Sequence, residues 1–234
     1  MSPLPVIQTA PPANTWHMYR SMVGIGILCG LLIVTVFEMT RPVIERKKAA
    51  ALQRAIFQVL PAASSSETFR FVAAGEGGRF EPLDGEGGIA GRGDALVYAG
   101  YDDGGDLIGV AVEAQGMGYQ DVIRVLYGYS FDDDAIVGIR VLDTKETPGL
   151  GDKIEKDPVF LENFKRLDVS LSAGTLANPI EFVKKGRKTE PWQVDGITGA
   201  TISSKAIANM LNQSAAFWVP RIRERLGDFE TGTD

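Results

Sequence analysis

The longest apolar run of the chain lies near its N-terminus, between Ser21 and Phe37, and contains no charged residue. At ~1.5 Å per helical residue it would measure about 25 Å, close to the ~30 Å hydrocarbon core of a bilayer. Arg20 and Arg41 flank it and can extend their charged ends towards the headgroups. The pattern predicts one transmembrane helix, and the basic cluster at Arg46–Lys48 disfavours a cleaved signal peptide.

Helical spacing of apolar residues continues from Ile44 to Leu60 and stops at Pro61 and the serines that follow. Aspartates and glycines at 102–106 and 132–134 then predict hairpin turns. Between such turns, apolar and β-branched runs predict strands at Thr68–Ala74, Ala95–Tyr101, Leu107–Ala114, Val122–Tyr129 and Ile136–Leu142.

Two further helices are predicted towards the C-terminus. Asp157-Pro158 supplies a cap and a first-turn proline for one, whose apolar face would include Phe164 and Leu167. The other should run from about Thr201 to Trp218, and Pro220 should kink or end it. Strands packed with helices predict an α+β fold, with antiparallel strands and packed helices after one N-terminal transmembrane helix.

These patterns divide the chain into five parts. We predict an N-terminal tail at 1–20, a transmembrane anchor at 21–40, a helical linker at 41–66, a main domain at 67–228 and a C-terminal tail at 229–234. Within the main domain, Gly85–Ala90 superficially matches a dinucleotide-binding motif. No convincing strand precedes it and no helix follows, so we expect a mobile loop there instead.

Composition narrows the chemistry. The net charge of −6 argues against nucleic-acid binding, which needs a basic face. With Cys29 as its one cysteine, the chain can form no internal disulfide, and an iron–sulfur cluster of its own is disfavoured. The lone His17 excludes a multi-histidine metal site. We therefore expect no metal site and no catalytic residues, and a redox role would need a bound organic cofactor.

One motif that could carry chemistry, Asp195-Gly196-Ile197-Thr198-Gly199-Ala200-Thr201, stands immediately before the last predicted helix. Together with Ser203 it offers several hydroxyl groups at a helix N-terminus. Unpaired N–H groups and the positive end of the helix dipole suit a phosphate at such a place. Ordinary helix capping by Thr201 is the alternative, although no capping box is present. From the residues alone, both interpretations remain open.

A second motif, Lys145-Glu146-Thr147-Pro148-Gly149-Leu150-Gly151-Asp152-Lys153, contains the Pro-Gly pair typical of a type II turn. It could be a plain turn between a strand and a helix. It could also be a flat, glycine-lined backbone surface against which a ring lies.

Together, DGITGAT and KETPGLGDKIE resemble the FMN-binding domain of the G subunit of the Rnf complex and of its relative, the C subunit of the sodium-pumping NADH:quinone reductase. The flavinylation pattern of that family is Asp, two residues, Ser or Thr, Gly, Ala, Thr, and every position from Asp195 to Thr201 matches it. The resemblance covers the whole chain, including the anchor. It implies that residues 67–228 form an FMN-binding domain and that Thr201 carries FMN through a phosphoester, made from FAD by a separate flavin transferase of the ApbE type.

The resemblance also implies an electron carrier without its own substrate. Such a protein works in a complex that couples electron transfer between ferredoxin and NAD to ion movement, so its expected partners are other subunits and membrane lipid. Around the covalent site, we expect recognition by the transferase at Asp195, hydroxyl support from Thr198 and Ser203, and proximity to the flavin ring for Glu146, Thr147, Gly149 and Leu150.

The expected side of the membrane rests on the same resemblance. Counted locally, the basic residues after the anchor favour a cytoplasmic domain. The resemblance implies the periplasmic side of a bacterial inner membrane, which we expect because long domains translocate despite flanking charge. Alternatives are the C subunit of a quinone reductase, a flavin-bearing regulatory module, and an anchored binding domain in which Thr201 is only a cap.

Overall fold

The computed structural model describes residues 15–73, 78–83 and 95–229. Helix α1 runs from Thr15 to Val59 without interruption, so the predicted membrane helix and the helix after it are one element. Its apolar part is long enough to cross a membrane. The chain forms two compact units, Met1–Ala49 and Ala50–Asp234, and the last turns of α1 belong to the second unit.

The second unit is built on an antiparallel sheet. In the described part of the chain its strands are β1 (Ser65–Val72), β2 (Arg79–Pro82), β3 (Ala95–Tyr101), β4 (Leu107–Met117), β5 (Val122–Ser130), β6 (Ala135–Asp143) and β7 (Leu167–Asp168). They lie in the order β2-β1-β3-β4-β5-β6-β7. The five predicted strands correspond to β1 and to β3 through β6. The predicted loop at Gly85–Ala90 and the outermost residues of both predicted tails lie outside the described residues.

Shorter elements and one long helix complete this unit. The helices are α2 (Lys153–Lys156), α3 (Pro158–Glu162), α4 (Thr201–Glu224) and a 3-10 turn at Leu226–Phe229. The remaining strands are β8 (Leu171–Ser172), β9 (Thr175–Leu176), β10 (Glu181–Val183) and β11 (Gln193–Asp195). β8 pairs with β9, and β10 pairs in parallel with β11. The α+β prediction is confirmed.

The helix predicted after Asp157 is shorter than expected. Its start is right, because Asp157 Oδ1 accepts hydrogen bonds from Val159 N at 2.9 Å and from Phe160 N at 3.4 Å. The helix ends at Glu162, however, and Leu167 pairs with Ile136 as part of the sheet. The prediction that the helix includes Phe164 and Leu167 was wrong. For Leu167, pairing with a distant strand prevailed over the local apolar spacing.

The final helix is longer than expected. Pro220 lies inside α4, which continues to Glu224. Its neighbours Val219 and Ile222 are 1% and 0% exposed, so continuing the helix buries both side chains in the core. Burial of apolar surface of this kind can offset a lost backbone hydrogen bond. The prediction that the helix ends near Trp218 was wrong.

Both faces of the sheet are covered. On one face, α4 packs through residues such as Ile207, Leu211 and Trp218. On the other, the end of α1 and the turn after it contribute Ala55, Ile56, Val59 and Leu60. A Cβ built on Gly116, near the end of β4, would contact Met210 of α4 at 3.1 Å. The early part of α4 is therefore placed beside the end of β4.

Candidate functional site

Glu146 lies in the loop after β6 and is only 5% exposed. Its Oε1 accepts hydrogen bonds from the backbone N–H groups of Tyr119, at 2.7 Å, and Gln120, at 3.0 Å. Its Oε2 accepts a hydrogen bond from the Ser203 hydroxyl at 2.6 Å. A buried carboxylate is costly unless it is hydrogen-bonded, and three donors satisfy this one. The side chain thereby joins the β6–α2 loop, the β4–β5 turn and the first turn of α4.

Two glycines make room for this carboxylate. A Cβ built on Gly118 would come within 3.0 Å of Glu146 Oε1, and one on Gly151 would come within 3.0 Å of Oε2. Neither position can therefore hold a larger residue without moving Glu146 or the backbone. This is the structural reason for a glycine on each side of the acidic side chain, in two segments that are distant in sequence.

The Thr147–Gly151 segment forms the predicted type II turn. Leu150 N donates to Thr147 O at 3.1 Å, and Gly149 has a φ of +80°. Gly149 N also donates to Asp152 Oδ1 at 2.6 Å. The pKa of Asp152 is lowered, first by its hydrogen bond to Lys156. The turn is thus fixed by both backbone and side-chain contacts.

The turn reaches the region just before α4. A Cβ built on Gly199, whose φ is +87°, would lie 3.9 Å from Leu150 Cδ2. Leu150 nevertheless remains 51% exposed. Tyr119 on the neighbouring β4–β5 turn is 66% exposed, and Ile202 in the first turn of α4 is 54% exposed. Three exposed apolar side chains thus lie on the three segments that Glu146 joins.

Thr201 is the first residue of α4, and its side chain is exposed. The capping position is Ala200, which provides no side-chain hydrogen bond, so the alternative of ordinary capping by Thr201 does not describe this helix. The Ser204 hydroxyl accepts from Ile197 N at 3.2 Å and donates to Ala200 O at 2.8 Å. Among the residues that the structure describes, no hydrogen bond involves the hydroxyls of Thr198 or Thr201.

Asp195 is the last residue of β11, and both its carboxylate and its backbone are hydrogen-bonded. Its carboxylate accepts hydrogen bonds from Gly186 N at 2.8 Å and from Arg187 N at 3.2 Å. Its backbone is held by the Asn163 side chain, which accepts from Asp195 N at 3.0 Å and donates to Asp195 O at 3.1 Å. The first residue of the motif therefore organises the loop between β10 and β11.

The structure places the residues singled out from the sequence in different roles. Glu146 and Ser203 are bonded directly, and Thr147 Oγ1 donates to the Gln120 side chain at 3.2 Å. Thr198 and Thr201 are exposed on the surface before α4 and at its start. Sequence reasoning missed the role of Asn163, since an amide in a short helix-to-strand turn carries no recognisable signal.

The surface at the start of α4 can hold a phosphate-linked cofactor. Thr201 offers an exposed hydroxyl, and α4, at 24 residues, presents the N–H groups of its first turn beside that hydroxyl. The adjoining apolar side chains would suit a flat ring. Two cavities of ≈ 440 Å³ lie elsewhere, one lined by residues such as Val137 and Phe164 and the other by residues such as Leu107 and Phe131.

Comparison with known proteins adds a family to this geometry. Residues 118–216 match the FMN-binding domain family. The chain is 31% identical to the G subunit of the ion-translocating oxidoreductase complex of Methanosarcina acetivorans, over 84% of this chain and 90% of the relative. It is 30% identical to the corresponding G subunit of Cereibacter sphaeroides (strain ATCC 17029 / ATH 2.4.9), over 86% of this chain and 85% of that one. The crystal structure of Shewanella oneidensis NqrC has the same fold, with a TM-score of 0.59 at 23% identity over 76% of this chain and 95% of that chain.

Proposed function

This chain belongs to the family of G subunits of ion-translocating oxidoreductase complexes, and we propose that it carries FMN covalently on Thr201 and relays electrons within such a complex. The observation that carries the proposal is the placement of the Thr201 hydroxyl. It is exposed at the first position of a long helix and makes no hydrogen bond to the described part of the chain. A hydroxyl in this position is accessible for ester formation.

The start of α4 supports an ester to a phosphate in particular. The unpaired N–H groups of a first helical turn and the positive end of the helix dipole stabilise negative charge. The side chains of Gly199 and Ala200 are small, so they leave the approach to Thr201 open. We assign Thr198, whose exposed hydroxyl lies three residues before Thr201, a supporting hydrogen bond to the same phosphate.

We assign the binding surface for the flavin ring to the segments that Glu146 joins. FMN, when bound, supplies one- and two-electron redox chemistry, while the protein sets its position and surroundings. Thr147, Gly149 and Leu150 lie on a fixed turn that reaches Gly199, so this turn provides a rigid surface for the ring. Glu146 and Ser203 support the site by holding that turn against α4, since the Ser203 hydroxyl donates to the Glu146 carboxylate.

The family and helix α1 support a proposal for the anchor and for the complex. An uncleaved, single-pass anchor would tether the chain to the inner membrane. The flavin domain would lie on the periplasmic side. Ferredoxin and NAD are the proposed ends of the electron path, coupled by the complex to ion movement. Nucleotide sites and metal clusters would then be supplied by the other subunits.

The C subunit of a sodium-pumping quinone reductase is the second candidate. The chain is 31% identical to the C subunit of the Na(+)-translocating NADH-quinone reductase of Yersinia pestis, but over only 53% of this chain and 44% of that protein. The G subunits of Methanosarcina acetivorans and Cereibacter sphaeroides match over most of both chains, and this difference favours a G subunit. Partner subunits that co-purify with the tagged chain would separate the two, and a lone regulatory module would co-purify with neither set.

The covalent flavin is tested by expressing the chain with and without a flavin transferase. With the transferase, the denatured protein should fluoresce under ultraviolet light and gain the mass of FMN less one water. Fragment masses should place this addition on the peptide that contains Thr201. A wild-type chain that never acquires the addition, in the presence of an active transferase and FAD, would show that the proposal is wrong.

A further inference from the structure

The loop between β10 and β11 is strongly basic. Lys184, Lys185, Arg187 and Lys188 fall within five consecutive positions of a chain whose net charge is −6. The first three are exposed, and Lys188 is half-buried. We call residues 184–188 the basic loop. A concentration of one charge sign on an oppositely charged protein favours an anionic partner, both by steering its approach and by orienting it.

The carboxylate of Asp195 binds the backbone of the basic loop, but its oxygens do not form ion pairs with the cationic side chains of the loop. Within the described ranges, none of its four cations forms an ion pair with a carboxylate. Some basic side chains elsewhere in the domain are paired, as Arg124 is with Glu113 and Lys145 with Asp121. Burial lowers the pKa of Lys188, which donates to Asn163 Oδ1 at 3.3 Å. The exposed cations Lys184, Lys185 and Arg187 are therefore available to an external group.

The basic loop and the flavinylation motif form one hydrogen-bonded unit. Asp195, the first residue of the motif, accepts from the backbone N–H groups of Gly186 and Arg187 at the centre of the loop. Asn163 binds the Asp195 backbone and also the Lys188 ammonium group. Both carboxylate oxygens of Asp195 are thus already engaged by the chain itself. Asp195 would therefore affect recognition by another protein through the position in which it holds the basic loop.

We propose that the basic loop, held in place by Asp195, is the docking surface for the FAD-bearing flavin transferase that loads Thr201. This inference rests on the proposed function and specifies how the motif is recognised. In the loading step, the Thr201 oxygen forms a bond to the phosphorus on the FMN side of the FAD diphosphate. The bond from that phosphorus to the bridging oxygen breaks, AMP leaves with the electron pair, and the threonine proton is released. No oxidant or reductant takes part.

The position of the loop favours this partner over a lipid surface or an acidic redox protein. Even a fully extended chain from Asp195 to Thr201 reaches only about 20 Å. One protein partner of ordinary interface size, roughly 800 Å² on each side, can cover both the loop and the acceptor threonine. The donor also brings a diphosphate, whose negative charges complement the loop. The hydrogen bonds that the loop N–H groups donate to Asp195 place this positive charge beside the motif that the transferase must bind.

The test is an in vitro loading assay on the full-length chain, purified without flavin in detergent. Purified transferase and FAD are added, and covalent FMN is measured by in-gel fluorescence against transferase concentration at several salt concentrations. The variant Lys184→Glu/Lys185→Glu reverses two exposed charges whose side chains make no described hydrogen bond. The matched control, Arg54→Glu/Arg140→Glu, applies the same charge change to exposed residues on other elements that form no ion pair with the described chain.

We expect the loop variant to need about tenfold more transferase for half-maximal loading, because complementary charge mainly affects association. Its loading should depend less on salt than that of the wild type, and the rate at saturating transferase should be unchanged. The control should match the wild type. Binding of the wild type and the loop variant to anionic lipid vesicles is measured in parallel. Loading of the loop variant at the wild-type rate and with the wild-type salt dependence would overturn the proposal, and so would a variant whose only loss is in vesicle binding.

Asp195→Asn tests whether Asp195 acts through the loop. If it does, adding Asp195→Asn to the loop variant should cost less than the product of the two separate effects, as expected for residues of one network. Multiplicative effects would mean that the transferase contacts Asp195 directly and would overturn this part. Failure of the inference leaves the wild type fully flavinylated, whereas failure of the proposed function leaves even the wild type without covalent FMN.

Discussion

The Ser203 hydroxyl donates a 2.6 Å hydrogen bond to the buried carboxylate of Glu146, although the two residues are 57 positions apart. Glu146 belongs to the loop after β6, and Ser203 belongs to the first turn of α4. The same carboxylate binds the β4–β5 turn through Tyr119 N and Gln120 N. One side chain thus sets the distance between the turn assigned to the flavin ring and the helix end assigned to its phosphate.

Thr201→Ala should abolish covalent FMN and leave the domain folded. Alanine has no oxygen for the ester, whereas the lost hydroxyl makes no hydrogen bond within the described chain. We expect a stability cost below about 0.5 kcal/mol, as for other exposed substitutions. Denaturing electrophoresis under ultraviolet light and intact mass measure the flavin, and thermal unfolding measures the stability.

Thr201→Ser and Thr198→Ala are the matched controls for this variant. Serine keeps an oxygen at the same position, so it should still accept FMN at a detectable level. Thr198→Ala should retain the adduct, because its hydroxyl is assigned only a supporting contact. If Thr201→Ala kept the adduct, the attachment site would lie elsewhere.

Glu146→Ala should destabilise the domain more than Ser203→Ala. The first leaves two backbone N–H groups and one hydroxyl without their acceptor, and the second removes one donor to a buried charge. Each lost partner costs about 1–3 kcal/mol. In a double-mutant cycle the two should couple by roughly 0.5–3 kcal/mol, since they share one hydrogen bond. Denaturant unfolding of the four proteins gives the coupling, and a value near zero would contradict the bond.

Gly118→Ala and Gly151→Ala should each disturb Glu146 from a different segment. The added methyl group would come within 3.0 Å of a carboxylate oxygen in either case. Overpacking of this kind typically costs about 1–3 kcal/mol. Gly227→Ala is the control, because no atom lies within 4 Å of the position of its Cβ. Unfolding free energies that are equal for all three variants would mean that the close approach has no energetic consequence.

Leu150→Ala should change the flavin while preserving both the fold and the covalent bond. Leu150 is 51% exposed, so its truncation removes little buried surface from the protein itself. If it covers the ring, the absorption maximum or the reduction potential of the loaded protein should shift. Val159→Ala, at a position that is 62% exposed on α3, is the control and should leave both unchanged.

Gly149→Val is the stronger perturbation of the same turn. Its φ of +80° disfavours a branched residue, so the turn should rearrange as well as gain a side chain. We expect a larger spectral shift than for Leu150→Ala, with the covalent bond still present. Unchanged spectra and potentials in both variants would remove the Thr147–Gly151 turn from the flavin site.

The flavin domain should be digested by protease added to intact spheroplasts. The proposal places it on the periplasmic side, although the basic residues after the anchor favour the opposite side by local count. N-terminal sequencing of the same membrane preparation should find a chain that still contains the Ser21–Phe37 segment. Protection from protease until the cells are lysed would show that the local charge count decides the orientation.

Local patterns of the sequence were sufficient for many elements. A continuous apolar run placed β3 at Ala95–Tyr101, and the Pro-Gly pair identified the type II turn at Thr147–Gly151. The charge-free run indicated the membrane-length part of α1. Each of these depends on interactions within a few residues, and such interactions are encoded by neighbouring side chains.

Contacts between distant segments decided the rest. Leu167 joined the sheet, and Pro220 stayed inside a helix because Val219 and Ile222 are buried around it. The sequence by itself determined the family, the motif ending at Thr201 and the residues that could serve a flavin. Only the tertiary structure decided that Glu146 holds Ser203 and that Asp195 holds the basic loop. A buried polar group must form a hydrogen bond with a group that the fold places beside it, and no local sequence pattern specifies that partner.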